Sequence, residues 1–188
     1  MQLSDAIKSR KSTKRFAGKN VDWRKIIQSI DLARFSPMAG NMFSLKFVLV
    51  QDKNKIKDIV SATQQDFVGD AGALLLVVSD RKKVEKMYDY NKKGFAQQQA
   101  GAVIQNLLLV LTEKKIDSCW IGFFDDGIAK RAASVPEDKD IEAIIAIGIG
   151  AKIKQPVREK PDMDSIIFFD KWGNKRMEPQ SKVRSEWA

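Results

Sequence analysis

The sequence predicts one layered α+β domain, an α/β/α arrangement with helices on both faces of a central mixed sheet. Its 188 residues are an ordinary length for one domain. Hydrophobic residues make up 44% and charged residues 30%, which is typical of a globular chain. Segments of helical and strand-like periodicity alternate, and the longest helical segment lies in the middle. We therefore expect residues 1–188 to form a single domain.

The first third of the chain predicts two helices and a turn. Leu3, Ala6 and Ile7 indicate a short helix for which Ser4 is a possible cap. A longer amphipathic pattern begins after an aspartate and ends near residue 35. Residues 36–41 (SPMAGN) follow it and are turn-forming in composition.

The middle of the chain predicts two strands and two helices. Residues 47–50 read as a strand and residues 53–63 as a helix with one apolar face. Residues 73–78 (ALLLVV) form a continuous apolar run, typical of a strand buried on both faces. Residues 95–114 are apolar nearly all round, so this longest helix should be central and buried. Only residues 81–93 separate it from the preceding strand.

The last third predicts two strands, a helix and an arm. Residues 118–123 and 143–149 read as strands, separated by a helix over 127–134. After Gly150 the chain becomes charged and is interrupted by three prolines, so it has no apolar core of its own. We expect residues 151–188 to form an arm that embraces the second subunit of a homodimer.

The composition excludes several classes of catalytic and metal site. The chain has no histidine and one cysteine. It therefore has no Ser-His-Asp triad, no His-ligated zinc and no disulfide framework. An enzyme of this composition is expected to rely on a bound cofactor for its chemistry.

The net charge of +9 favours anionic partners. Basic residues are concentrated near the N-terminus and again over residues 152–160, and the two groups could meet around one phosphate. No nucleic-acid-binding signature is present, and the aromatic residues lie in apolar segments, so we expect no nucleic acid partner. We also expect no membrane partner and a cytoplasmic location, because no apolar run approaches the ~18 residues of a span and the N-terminus lacks an apolar signal core.

Four segments carry a stronger signal together than any of them does alone. They occur in the order that one known family shows. These segments are residues 10–16 (RKSTKRF), residues 36–41 (SPMAGN) with the strand that follows, residues 118–125 (SCWIGFFD), and residues 147–150 (IGIG) with the basic residues 156–161 (PVREKP).

Together these segments resemble the FMN-dependent nitroreductase family of flavoproteins, from Leu3 to about Ile167. The resemblance implies an intertwined homodimer with FMN at the subunit interface. It also implies an oxidoreductase that takes hydride from NADH or NADPH onto flavin N5 and passes it to a nitroaromatic, a quinone or a similar small-molecule acceptor. No side chain is assigned a catalytic role, and no metal is expected.

The resemblance assigns Arg10, Lys11 and Ser12 to the phosphate and ribityl end of FMN. Arginine suits this position because its guanidinium is planar and permanently charged. Arg158 and Lys160 are expected to approach the same phosphate from the other end of the chain.

At the ring end, the resemblance places Lys14 near flavin N1 and O2, where a cation would favour the reduced cofactor. Ile121, Gly122 and Phe123 would lie along the isoalloxazine, with a backbone N–H near Gly122 donating to N5. Gln64 matches a side chain at the pyrimidine rim.

A further cofactor contact is expected from the loop of the second subunit that contains Pro37, Met38, Ala39 and Asn41. Here the chain departs from the family pattern. Residues 43–45 (FSL) stand where the family commonly has Gln-Pro-Trp, and Met38 replaces a small hydroxyl residue. The resemblance therefore does not carry over a substrate preference.

Two alternatives remain open at this point. One is a flavin-storage protein without turnover, and the other is a reductive dehalogenase or flavin-destroying member of the same superfamily. Met87, Tyr88 and Tyr90 are expected either to shape the acceptor pocket or simply to pack against the long helix. The choice between NADH and NADPH and the identity of the acceptor are not determined by the motifs.

Overall fold

The computed structural model describes residues 1–88, 94–151 and 159–177. The chain divides into two compact units, Met1–Ala151 and Lys152–Ala188. The first unit holds the sheet and the helices that cover it. The described part of the second unit holds one short helix, Met163–Ile166. The prediction of a single domain ending in an arm stays a prediction.

Four strands form the sheet of the first unit, in the spatial order β1-β2-β4-β3. Every pair of neighbouring strands is antiparallel. The α+β class is therefore confirmed, but these strands form an antiparallel sheet rather than the mixed sheet expected. The strands are β1 (Leu45–Val50), β2 (Ala73–Ser79), β3 (Asp117–Ile121) and β4 (Asp140–Gly148).

The connections explain why the sheet is antiparallel. A helix over Lys53–Thr63 and a short 3-10 helix over Asp66–Asp70 lie between β1 and β2, so the chain leaves the sheet and re-enters it from the same end. Alternation of helix and strand in a sequence does not tell a returning connection from a crossover. Within the described residues, the one parallel pairing is an isolated bridge between Ser12 and Ser118.

Helices cover both faces of the sheet, which gives the three layers expected. On one face α2 (Trp23–Ala33) and α5 (Phe95–Glu113) pack against Leu75 and Ile145. On the other face α3 (Lys53–Thr63) and α6 (Asp126–Ala133) pack against Leu76 and Ile144. The helices of the first unit are α1 (Leu3–Ser9), α2 (Trp23–Ala33), α3 (Lys53–Thr63), α4 (Arg81–Met87), α5 (Phe95–Glu113) and α6 (Asp126–Ala133).

Capping side chains fix several helix starts. Asp22 accepts a hydrogen bond from the backbone N–H of Arg24, and Asp125 accepts one from Ile128. The predicted Ser4 cap is wrong. The cap position of α1 is Gln2, which makes no side-chain capping bond, and the helix begins one residue before Ser4.

The strand predicted over 118–123 ends earlier, at Ile121. The chain must then turn to reach the α6 cap at Asp125, whose N–H donates to the carbonyl of Ala62 over 2.8 Å. Gly122 and Phe123 consequently lie in the turn after β3. This turn forms one end of the site described next.

Candidate functional site

The segment between α1 and α2 passes along the exposed edge of β3. The N–H of Thr13 donates to the carbonyl of Ser118 over 2.9 Å. Farther on, the N–H of Ala17 donates to Ile149 over 2.8 Å, and Ala151 donates to Arg15 over 2.9 Å. These bonds attach residues 12–13 to β3 and residues 15–17 to the chain that follows β4.

Asp117, the first residue of β3, is hydrogen-bonded to this segment. Its carboxylate accepts hydrogen bonds from the Thr13 hydroxyl over 3.2 Å and from the Gly150 N–H over 2.9 Å. Thr13 and Phe16 are buried, and the Phe16 ring stacks on Phe67 with centroids 6.5 Å apart. The inward side chains therefore anchor the segment, and the cationic ones are left facing outward.

The cationic side chains of the segment are available to a ligand. Lys11 and Lys14 are exposed, and Arg10 and Ser12 are half-buried. A polar cavity of about 210 Å³ lies between the end of α1 and the start of β3, and of these four residues Lys11 lines it. It is lined by Ser9, Lys11, Thr112, Lys115, Ile116, Asp117 and Ser118.

Lys115 is a residue of this cavity that the sequence reasoning missed. It stands in the turn after α5, in the left-handed conformation with φ of 57°. Together with Lys11 it gives this cavity two lysines, and Ser9 and Ser118 also line it. The signal in the sequence was the Lys114-Lys115 pair between a predicted helix and a predicted binding strand.

The far end of β3 is open. Ile121 is buried, and Gly122 and Phe123 are exposed. A Cβ atom at Gly122 would meet nothing nearer than the Trp120 indole nitrogen at 3.9 Å, so a flat ring can approach the backbone here. The structure brings Gln64 to the same region, because the end of α3 is hydrogen-bonded to Asp125 through Ala62.

Pro37, Met38, Ala39 and Asn41 lie elsewhere. Their loop leads into β1, which is separated from β3 by β2 and β4. Neighbouring strands are about 4.8 Å apart, so the two edges lie roughly 14 Å from each other. Within one chain the structure therefore does not unite this loop with the β3 edge.

The loop is held on α5 at both of its ends. The Asn106 amide donates to the Ser36 hydroxyl over 2.7 Å, and the Ser44 hydroxyl donates to Gln99 over 3.2 Å. Residues 43–45 depart from the family pattern, and among them Leu45 is a fully buried core residue. The altered segment therefore begins β1, and Phe43 is its exposed part.

Met87 and Tyr88 cover this loop. A Cβ atom at Gly40 would lie 2.5 Å from the Met87 sulfur and 2.9 Å from the Tyr88 hydroxyl. Tyr88 also packs on Phe95, with centroids 4.7 Å apart, so it contacts both the loop and the long helix. Tyr90 lies outside the described residues.

The basic residues expected from the other end of the chain are described only in part. Arg158 lies outside the described residues, and Lys160 is an exposed residue of the second unit. Their approach to the phosphate stays a prediction. Among the described ranges, no group of three or more potential ligand side chains could hold a metal. None of the helices in those ranges is long and apolar enough to cross a membrane.

Comparison with known proteins defines the class. The profile of the nitroreductase family matches residues 7–64 and 59–149, which is most of the chain. This protein belongs to the nitroreductase family, a family of oxidoreductases.

Individual relatives agree with this assignment. The chain is 26% identical over 178 residues to a Methanothermobacter thermautotrophicus protein provisionally named an NADH dehydrogenase/NAD(P)H nitroreductase, covering 92% of this chain and 88% of that protein. A nitroreductase family protein from Clostridium novyi NT is 25% identical with a TM-score of 0.74, covering 97% and 100% of the two chains. An FMN-dependent nitroreductase from Clostridium difficile R20291 shares the fold at 18% identity with a TM-score of 0.76, covering 89% and 98%.

Proposed function

We propose that the protein is an NAD(P)H-dependent FMN oxidoreductase that reduces nitroaromatics, quinones or similar electron-poor acceptors. The observation that carries the proposal is the β3 edge. A cation-lined polar cavity lies at the start of this five-residue strand, and an open glycine turn lies at its end. A phosphate and a flat ring are the two ends of FMN.

The donor set at the start of β3 suits a phosphate. Arg10, Lys11 and Lys115 are cationic, and Ser12 supplies a hydroxyl. Hydrogen bonds from charged donors to phosphate are stronger than neutral ones, so these groups would hold the anionic end. The Asp117 carboxylate also lines the cavity, and it accepts hydrogen bonds from Thr13 and Gly150.

The residues at the end of β3 suit a flavin ring. The backbone at Gly122 is exposed and unobstructed, so it can lie against a planar system and donate its N–H. Lys14 is exposed, and its charge would stabilise added electrons on a ring bound within its reach. Gln64 would contact the polar rim.

When bound, FMN would supply the hydride chemistry, accepting hydride at N5 from the nicotinamide and passing it to the acceptor. The side chains would bind and orient the cofactor and adjust its reduction potential. The absence of histidine from the sequence agrees with this division, because no side-chain acid or base is required. The names of the relatives, which mention FMN or NAD(P)H, support the same cofactors.

We also propose that the protein is a homodimer with a shared site. The loop containing Asn41 and the segment containing Arg10 are at opposite edges of one sheet, so one site of a single chain does not hold all of the expected contacts. Exposed apolar side chains on α1 and α2 offer a surface for a second copy. These residues are Leu3, Ile7, Trp23 and Ile27. The arm over 151–188 would complete the interface.

Identification of the cofactor and a turnover assay test this function. Chromatography of the cofactor released from purified protein should recover FMN, and NADH or NADPH should support reduction of a panel of nitroaromatics and quinones. Recovery of FAD would contradict the proposal. Bound FMN without any turnover would favour flavin storage, and halide release from a halogenated phenol would favour the dehalogenase alternative.

A further inference from the structure

A second cavity lies on the sheet, away from the β3 edge. Its volume is about 310 Å³. It opens where β1 begins and β2 ends, beside the loop that joins α6 to β4. None of its lining residues belongs to the candidate cofactor site. We call it the lysine-rimmed cavity; it is lined by Phe43, Ser44, Lys46, Val48, Val78, Ser79, Asp80, Lys83, Ser134, Val135, Pro136 and Lys139.

The walls of the lysine-rimmed cavity are apolar. They consist of Phe43, Val48, Val78, Val135 and Pro136. Its two inner serine hydroxyls are already committed, since Ser44 donates to Gln99 and Ser79 donates to Glu142. A ligand would therefore meet hydrocarbon walls, which favour an apolar body. The volume is at the lower end of the roughly 300–1,000 Å³ of small-molecule sites, too small for a peptide element.

The charges at the rim are predominantly positive. Lys139 is neutralised, because its ammonium lies 3.0 Å from the Asp80 carboxylate and 2.8 Å from Asp138. These contacts raise the pKa of Lys139 and lower that of Asp80. Lys46 and Lys83 form no ion pair with any residue that the structure describes. The charge of Lys83 also helps to lower the pKa of Asp80. The lining nevertheless holds three lysines against one aspartate, so its net charge is positive.

We propose that the lysine-rimmed cavity binds a small amphipathic carboxylate, an aromatic or branched aliphatic acid, with its apolar body between the valines and its carboxylate at Lys46 and Lys83. Charge complementarity selects an anion over a neutral or cationic molecule of the same shape. Cavity volume selects a body of about one or two rings. This site is additional to the proposed oxidoreductase function and does not depend on it.

The test compares 2-naphthoate with its neutral isostere 2-naphthamide on the full-length, flavin-loaded protein. Amide chemical shifts are followed during each titration. We expect 2-naphthoate to bind about tenfold more tightly than 2-naphthamide, with the largest shifts at Val78 and Val135. The double variant Lys46→Met/Lys83→Met should remove this preference, because it leaves the apolar walls intact.

Matched controls separate the site from general surface charge. Lys25→Met/Lys57→Met removes two exposed lysines of α2 and α3 and should leave both affinities unchanged. Val48→Phe should fill the cavity and abolish binding of both probes. Four results would each overturn the proposal. The two probes could bind equally, or the preference for 2-naphthoate could survive the Lys46 and Lys83 changes. The shifts could fall at Gly122 instead of Val78, or neither probe could bind at millimolar concentration.

Discussion

At the residue scale, Lys14 and Arg15 are adjacent cations to which we assign different roles. Both are exposed, and they lie between the two bridges that fix the segment at Ser12 and Phe16. The proposed site assigns Lys14 to the flavin ring and leaves Arg15 outside it.

We predict that Lys14→Met lowers the midpoint potential of the bound flavin by tens of millivolts. The ammonium would stabilise the reduced cofactor more than the oxidised one, and only such a difference moves a potential. For a two-electron couple, about 30 mV corresponds to roughly 1.4 kcal/mol. A redox titration with FMN fully bound measures the shift. Arg15→Met is the control and should leave the potential unchanged, whereas equal potentials in wild type and Lys14→Met would make Lys14 a solvated surface charge.

Sequence reasoning at this scale names the residues that a motif carries and misses a lining residue that no motif carries. Arg10, Lys11 and Ser12 could be named because a short motif carries them. Lys115 could not, because it reaches the cavity only through the left-handed turn that ends α5, and that turn is not encoded by a recognisable signature. The spacing also left open whether Tyr88 shapes the acceptor pocket or packs against α5. In the structure Tyr88 packs on Phe95 of α5 and lies beside Gly40.

At the element scale, the start of β2 is tightly enclosed by the chain that enters α2. We predict that Gly72→Ala destabilises the protein by about 1–3 kcal/mol, the usual cost of overpacking. Its Cβ would lie 2.4 Å from the carbonyl oxygen of Lys19, and backbone cannot move aside as a side chain can. Urea unfolding measures the loss. Gly69→Ala is the control, because its nearest neighbour would be 3.6 Å away, and equal stability of the two variants would contradict this packing.

The ion pair between Lys130 and Asp126 ties down the first turn of α6, with nitrogen and oxygen 2.7 Å apart. The hydrogen bond to Asp126 raises the pKa of the buried Lys130 above its ordinary value of 10.5. A raised folded-state pKa gives stability that is present below 10.5 and is lost as the pH rises past it.

We therefore predict that Asp126→Asn costs about 1 kcal/mol at neutral pH, a modest value because the carboxylate is half-exposed. Urea midpoints measured across pH should show the difference from wild type shrinking at strongly alkaline pH. Asp58→Asn, an exposed substitution on α3, serves as the control. A difference that stays constant into alkaline pH would show that the ion pair is not its cause.

The elements themselves could largely be predicted, for identifiable reasons. β2 and α5 have long unambiguous patterns, and their predicted bounds differ from the observed ones by a single residue. The direction of the strands could not be predicted, because it depends on whether each connection returns or crosses. The start of α1 was misjudged because Ser4 looked like a cap, although the chain is already helical there.

At the scale of the whole molecule, a site shared between two subunits can be tested with hybrid dimers. We predict that Arg10→Ala and Asn41→Ala each weaken FMN binding in homodimers. Subunits of the two variants refolded together should recover one intact site per hybrid dimer, because both substitutions then fall in the other site. Flavin retained after gel filtration measures the recovery.

Refolding each variant alone is the control for that experiment. Failure of the mixture to recover any flavin would place Arg10 and Asn41 in the site of one chain. A monomer that holds stoichiometric FMN in sedimentation would also contradict the shared arrangement.

The proposed oxidoreductase function is tested most directly by the absorbance spectrum of the purified protein during anaerobic addition of NADH or NADPH. We predict flavin bands that bleach with one of the two nucleotides and return when a nitroaromatic or quinone is added. A protein that binds FMN but keeps it oxidised with both nucleotides, or one that binds no flavin, would contradict the function assigned to the β3 edge.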